Sequence, residues 1–221
     1  MLSNTPRTKL KKASHKAVFD NNSLYAIIDE SLIAHVAIVE NDTPVVIPML
    51  AWRRGSYVYI HGAKNSRLIR ALKSGQSTCL TFTLFDGWVL ARSAFHHSAH
   101  YRSAMVFGKF HQVEGSNEKD TILNHFIEHI APGRTQEVRL SNPKELAATE
   151  LLAIALTEAS VKIGRHGVND DTDDLTRPVW AGVLPYKTVV GPLEPCEDLG
   201  EVPTPDYSSA YGQRWYENED E

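Results

Sequence analysis

Apolar residues in this chain alternate with polar ones over short stretches for most of the first half, then fall into helical spacing. Leu24, Ala26, Ile27 and Ile28, preceded by Asn22 and Ser23, predict a short capped helix that opens the fold. Leu32–Val39, Pro44–Trp52 and Tyr57–Gly62 are rich in Val, Ile and Tyr, and Glu40 to Thr43 and Arg53 to Gly55 have turn chemistry at hairpin length. Three antiparallel strands in a meander are the expected product. Leu68, Ile69 and Leu72 then predict a helix over Asn65–Ser74, ended by Gly75. Strands resume at Ser77–Leu84, Trp88–Ser93 and Tyr101–Val113, with Asp86-Gly87 as a tight turn and Gly108 as a bulge or close-packing point. Six strands around one helix suggest a barrel.

Past this point the period lengthens. Ile122, Leu123, Phe126, Ile127 and Ile130 share one face of a helix over Glu118–Ile130, and Ser141-Asn142-Pro143 signals a helix over Pro143–Leu152. Ala153–Ile163 and Trp180–Val190 read as two more strands, separated by a loop with an acidic run from Asn169 to Asp174. Residues 1–13, with Arg7, Lys9, Lys11 and Lys12, read as a loose basic arm, and residues 193–221, with Pro195, Pro203, Pro205 and a run of carboxylates, as an extended or disordered tail. One α+β domain over residues 14–192 remains, and 42% apolar residues among 221 suffice for its core.

Charge narrows the choice of partners. A formal charge of −4 gives no overall reason to expect nucleic acid, and no apolar stretch reaches the roughly 18 residues of a membrane span. Cys79 and Cys196 are the only cysteines and have no metal-ligand or disulfide-framework spacing, which fits a reducing, cytoplasmic setting.

The candidate chemistry lies in two segments. From Tyr59 to Arg67 a strand ends in Gly62 and delivers Lys64, Asn65, Ser66 and Arg67 to a helix start. Free N–H groups, a hydroxyl and a guanidinium can meet one anion there. Lys64, Arg67 and Arg70 also recur every three residues, so they can share a basic helix face; an ordinary solvated turn is the competing reading. Walker and dinucleotide-fingerprint spacings are absent. The second segment, Leu90 to Gly108, holds His96, His97 and His100 within five positions. No carboxylate or cysteine lies between them, so no metal is expected. No nucleophile elbow accompanies Ser93, Ser98 or Ser103.

Taken together, Pro44-Val45-Val46-Ile47-Pro48-Met49, His61-Gly62-Ala63, Ser66-Arg67, Ala91-Arg92-Ser93 and Tyr101-Arg102-Ser103 to Gly108 resemble the pyridoxamine 5′-phosphate oxidase-related flavoproteins. The branch they are most similar to includes nitroimidazole-resistance-type proteins, and the likeness runs from about Ala17 to Pro192. The resemblance implies a six-stranded antiparallel split β-barrel with flanking helices that forms a homodimer, with FMN in grooves at the subunit interface. It implies that the strand Val45–Leu50, with Val46, Ile47, Pro48 and Met49, runs along the flavin ring and meets its polar edge largely through backbone groups, that Lys64, Ser66 and Arg67 hold the phosphate, and that Ser103 contacts the cofactor from a neighbouring strand; Arg102, near a strand end, could add to the anion site, with a surface ion-pair partner as the competing reading. His61 matches a histidine near the flavin and is the candidate catalytic residue; a strand-end histidine capping a carbonyl is the alternative. His97 and His100 fall on the substrate side, and His100 stands where that branch would have asparagine. The implied activity is electron transfer from reduced flavin to a small planar acceptor. A non-catalytic FMN-storage or redox-sensing role, and haem chemistry on the same barrel, are the alternatives.

Overall fold

The computed structural model describes residues 2–207, so the acidic end of the chain, residues 208–221, lies outside the described residues. The described residues build eleven strands and four α-helices. After β1 (Ala17–Val18), α1 (Asn21–Glu30) starts one residue ahead of the expected cap: Asp20, not Asn22 or Ser23, accepts from the Ser23 N–H. Then come β2 (Ile33–Glu40) and β3 (Thr43–Leu50), joined by Asn41 and Asp42, both with positive φ. Two such central residues twist a hairpin the way its strands already twist.

The expected three-strand meander is broken at Ala51. There the chain leaves the first sheet, and β4 (Trp52–Arg54) and β5 (Tyr57–Ala63) pair with each other and with β9 (Thr149–Ala155), whose other neighbour is β8 (His111–Gln112). The larger sheet runs β1-β10-β7-β6-β2-β3, from β10 (Ala159–Gly164), β7 (Ser98–Gly108) and β6 (Thr78–Leu90), with β11 (Gly182–Pro185) also paired to β6. Both sheets are antiparallel throughout, and with their helices they form the α+β split barrel.

Two further expectations give way. Asp86-Gly87 is a bulge inside one long strand, because the β6–β7 register slips there by a residue and continues to Val89 opposite Ser98. Gly87 has φ 150°, and a Cβ on it would stand 2.6 Å from the Leu184 carbonyl oxygen, so glycine is what lets β11 close on this strand. The helix expected over Pro143–Leu152 stops early: α4 is Pro143–Ala148, and Thr149 begins β9. Leu151 to Ile154 are buried on both faces, so they lack the alternation that separates strand from helix.

The barrel core gathers Val36, Ile38, Ile60, Leu80, Phe82, Ala104, Val106, Leu152 and Ile154 with Leu24, Ile27 and Ile28 of α1 and Leu68, Ile69 and Leu72 of α2 (Arg67–Lys73). A second, smaller core lies on the other face of the small sheet, where Trp52, Tyr59, Leu151 and Ala153 meet Ile122, Leu123 and Phe126 of α3 (Ser116–Ile130). The basic N-terminal segment, expected to be loose, is docked. Leu2 is buried with its N–H on Phe19 O, and Arg7 and Thr5 both bond Glu158. From Tyr186 to residue 207 no helix or strand forms.

Candidate functional site

The corner expected to hold an anion forms where β5 hands over to α2. Ser66 caps the helix, its Oγ accepting from Ile69 N–H at 3.2 Å, which leaves the hydroxyl proton free to donate outward. Arg67 follows with a side chain 54% exposed, and its partner is Glu40 at 3.3 Å, at the end of β2. That pair brings the corner against the β2–β3 hairpin and so to the start of β3. Behind it, Lys73 bonds Glu150 at 3.0 Å; the Glu150 side chain is 3% exposed, and its Oε2 has no partner among the described residues. A buried carboxylate facing an ammonium fixes α2 to β9, and with it the direction in which the corner opens. Gly62 sits opposite Glu150, and a Cβ there would press within 3.0 Å of the Ile69 side chain, so the close approach of helix to strand needs this glycine.

β3 is the end strand of the large sheet, so one edge of its backbone has no strand partner. Ile47 and Met49 turn inward onto the barrel core, and Val46 turns outward with 59% exposure. Of the four residues expected along a flavin ring, two side chains are therefore core. What β3 can offer a ligand is its unpaired amides and carbonyls together with Val46 and Pro48.

The remaining candidates lie elsewhere. Arg102 is not available for a cofactor: its guanidinium chelates Asp86 through Nε at 2.9 Å and Nη2 at 2.7 Å, and it also holds both oxygens of Glu30. These bonds raise its pKa further above the ordinary arginine value, first through Asp86 and then through Glu30, and they pin the β6 bulge to the end of α1. Sequence inspection could not pair it, because Glu30 and Asp86 stand 72 and 16 positions away. Ser103 faces outward between Thr83 and Lys162, with its hydroxyl on Lys162 O at 3.4 Å.

His61 points away from the barrel core. Its ring lies 5.7 Å from that of Trp52 and 5.6 Å from that of Phe126, in the layer under α3. Burial lowers its pKa, so the imidazole is neutral at neutral pH, and its buried Nδ1 has no hydrogen-bond partner among the described residues. His97 and His100 stand beside the β6–β7 connection. Val89 opposite Ser98 marks that end, while the Arg67 corner lies beyond the other end of β6, near Thr78, so roughly 25 Å or more of strand separates them. His97 donates from Nδ1 to Ser93 O at 2.9 Å, and His100 is occupied by the His166 backbone, with Nε2 2.6 Å from its carbonyl. No group of three or more His, Cys, Asp or Glu side chains among the described residues is arranged to hold a metal ion. No helix among them is long and apolar enough to cross a membrane.

Comparison with known proteins joins these features to a group. The model of the family described as pyridoxamine 5′-phosphate oxidase matches residues 20–163. The solved structure of the flavocytochrome Anf3 from Azotobacter vinelandii is 36% identical, with 91% of this chain and 94% of that one covered at a TM-score of 0.86. The FAD and haem binding protein from Mycobacterium smegmatis is 34% identical over 88% of this chain and 96% of that one, with a TM-score of 0.83. A candidate 5-nitroimidazole antibiotic resistance protein from Bacteroides thetaiotaomicron shares the fold at 21% identity, with 66% of this chain and 86% of that one covered and a TM-score of 0.56. No curated protein matches the chain.

Proposed function

The chain belongs to the pyridoxamine 5′-phosphate oxidase family, and from that premise we propose that it is a flavin-binding redox protein of the flavocytochrome kind, in which a homodimer carries a flavin nucleotide and haem. The observation behind the proposal is the extent of the likeness: a flavocytochrome and an FAD and haem binding protein match it over 91% and 88% of its length. Flavin and haem, alternatives on sequence alone, are bound together by the second of those relatives, so the proposal takes both.

The residues present fit a flavin. The Ser66 hydroxyl, the exposed Arg67 guanidinium and the Lys64 ammonium can take up its phosphate, and the free edge of β3 can meet the polar rim of the ring. Bound there, a flavin supplies hydride and single-electron chemistry and a haem supplies one-electron exchange. The chain's own work is to grip the anionic tail, to orient the ring along β3 and to keep water off it through the apolar neighbours of that strand. FAD is the nucleotide we assign, in keeping with the 34% relative; FMN is the second reading, favoured because the corner offers one anion grip. His61 is the histidine whose surroundings suit an iron ligand. It is neutral, flanked by aromatic rings, and carries a polar atom with no partner among the described residues, which ordinarily costs about 1–3 kcal/mol. The activity proposed is electron transfer to a small planar acceptor in the cytoplasm.

The absorption spectrum of the purified protein tests this. Flavin bands and a Soret band are expected together, with His61→Ala losing the Soret band and keeping the flavin, and His97→Ala keeping both. A Soret band that survives His61→Ala and disappears with His97→Ala moves the ligand to the β6–β7 end. A protein that stays colourless after incubation with FAD and haemin ends the proposal, and flavin that binds but never turns over with any donor selects the storage or sensing role.

A further inference from the structure

At the end of β5 remote from the Arg67 corner, the β4–β5 turn, the end of α1 and one face of α3 enclose a pocket of about 220 Å³ lined by Asp29, Arg53, Arg54, Gly55, His125 and His129. Its charges do not balance. Asp29 is committed to Arg53, which bonds its two oxygens at 2.9 and 2.5 Å. Arg53 is in turn held by Gly55 O at 2.9 Å and by the Tyr25 ring, 4.3 Å below the guanidinium. Arg54 is exposed and makes no hydrogen bond or ion pair among the described residues. Two guanidinium groups against one carboxylate make this lining predominantly basic.

The histidines are placed to respond to a ligand. His125 and His129 stand four residues apart and so share the face of α3 that turns to the Arg53–Arg54 hairpin. The buried Nδ1 of His125 has no partner among the described residues. Burial first, then Arg54 and Arg53, lower its pKa, with Asp29 opposing them. The groups facing it are thus Arg53 and Arg54 from β4, Asp29 from α1 and His129 from its own helix. A cation is disfavoured by the two guanidinium groups, and the volume is smaller than the roughly 300 Å³ at which whole-ligand pockets begin, so it suits one oxyanion.

We propose that this pocket is a phosphate-binding site, in which Arg54 forks onto the anion and the His125 imidazole completes its hydrogen bonding. The phosphate can be inorganic or the terminal group of a nucleotide, since both present the same oxygens to a guanidinium. The site is separate from the proposed flavin corner and does not depend on that reading.

The test is a titration of the full-length protein with inorganic phosphate at low ionic strength, read by calorimetry and by the NMR signal of the His125 ring proton. Saturable binding is expected, with the His125 pKa rising towards its ordinary value, because an adjacent anion favours the protonated ring. Arg54→Ala, an exposed position, should weaken the binding that moves the His125 signal at least tenfold, and Arg54→Lys should restore part of it. ADP binding more tightly than phosphate, with the same dependence on Arg54, assigns the anion to a nucleotide; equal affinity assigns free phosphate. No saturation, or a His125 signal indifferent to phosphate, overturns the proposal. Loss of binding with Arg67→Ala but not with Arg54→Ala also overturns it, and leaves the flavin corner standing.

Discussion

Two arginines show how far a residue's partners outweigh its identity. Arg67 is 54% exposed and meets a 37% exposed Glu40 at 3.3 Å, a screened surface pair worth well under about 1 kcal/mol to the fold. Arg102 is 29% exposed and saturated by two carboxylates. The first is free to trade its partner for a phosphate and the second is not. Arg67→Ala is accordingly expected to leave thermal stability nearly unchanged while costing about 1.5–3 kcal/mol of flavin affinity, roughly 10- to 150-fold in Kd. Fluorescence titration with FAD and with riboflavin checks it: the loss should appear for the nucleotide and be absent for riboflavin, which lacks the phosphate. Equal FAD affinity in variant and parent would remove Arg67 from the site.

The layer formed by α3 and the outer face of the small sheet buries two histidines with depressed pKa values, His61 through burial alone and His125 through burial and then the two arginines. Unfolding returns each to about 6.5, so below that pH the unfolded chain binds more protons than the folded one, and stability falls as pH drops through the window between 6.5 and the depressed native values. Urea midpoints of the cofactor-free protein should fall between pH 7.5 and 5.5, and His61→Phe should flatten the slope; a parent midpoint that does not move across that range contradicts the assignment. The elements of this layer were unevenly legible in the sequence. α3 announced itself through Ile122, Phe126 and Ile130, and the Asn41-Asp42 turn through its polarity, because both signals are local. The change of sheet at Ala51 and the strand beginning at Thr149 were not legible. A side chain buried on both faces breaks alternation, and the partner that makes Leu151 a strand residue is His61, ninety positions earlier. The candidate site divides the same way: the Ser66–Arg67 corner is contiguous and could be read directly, whereas the Arg102 chelate and the Arg53–Asp29 pair are made by distant stretches of chain.

For the molecule as a whole, the outward face of the large sheet is the feature a single chain leaves unexplained. The pairings Pro48–His35–Thr81–Met105–Ser160 and Val46–Ala37–Cys79–Phe107 run side by side across it, and Ile33, Val39, Val46, Leu50 and Met105 on that face are each at least 38% exposed. Exposed apolar side chains on a mixed face beside an open strand edge suit cover by a second copy, as in the proposed homodimer, and the separation between the Arg67 corner and the His97 end of the barrel would give such a pairing a function. Across a two-fold axis one protomer's corner can lie beside its partner's β6–β7 end, uniting groups that roughly 25 Å of strand keeps apart within a chain. Sedimentation should therefore give twice the chain mass, and Val39→Lys with Met105→Lys, two outward positions that leave the core untouched, should give a folded monomer with at least tenfold weaker flavin binding. A double variant that stays dimeric would move the interface to another face, and a monomer that binds flavin as tightly as the parent would show the groove complete within one chain.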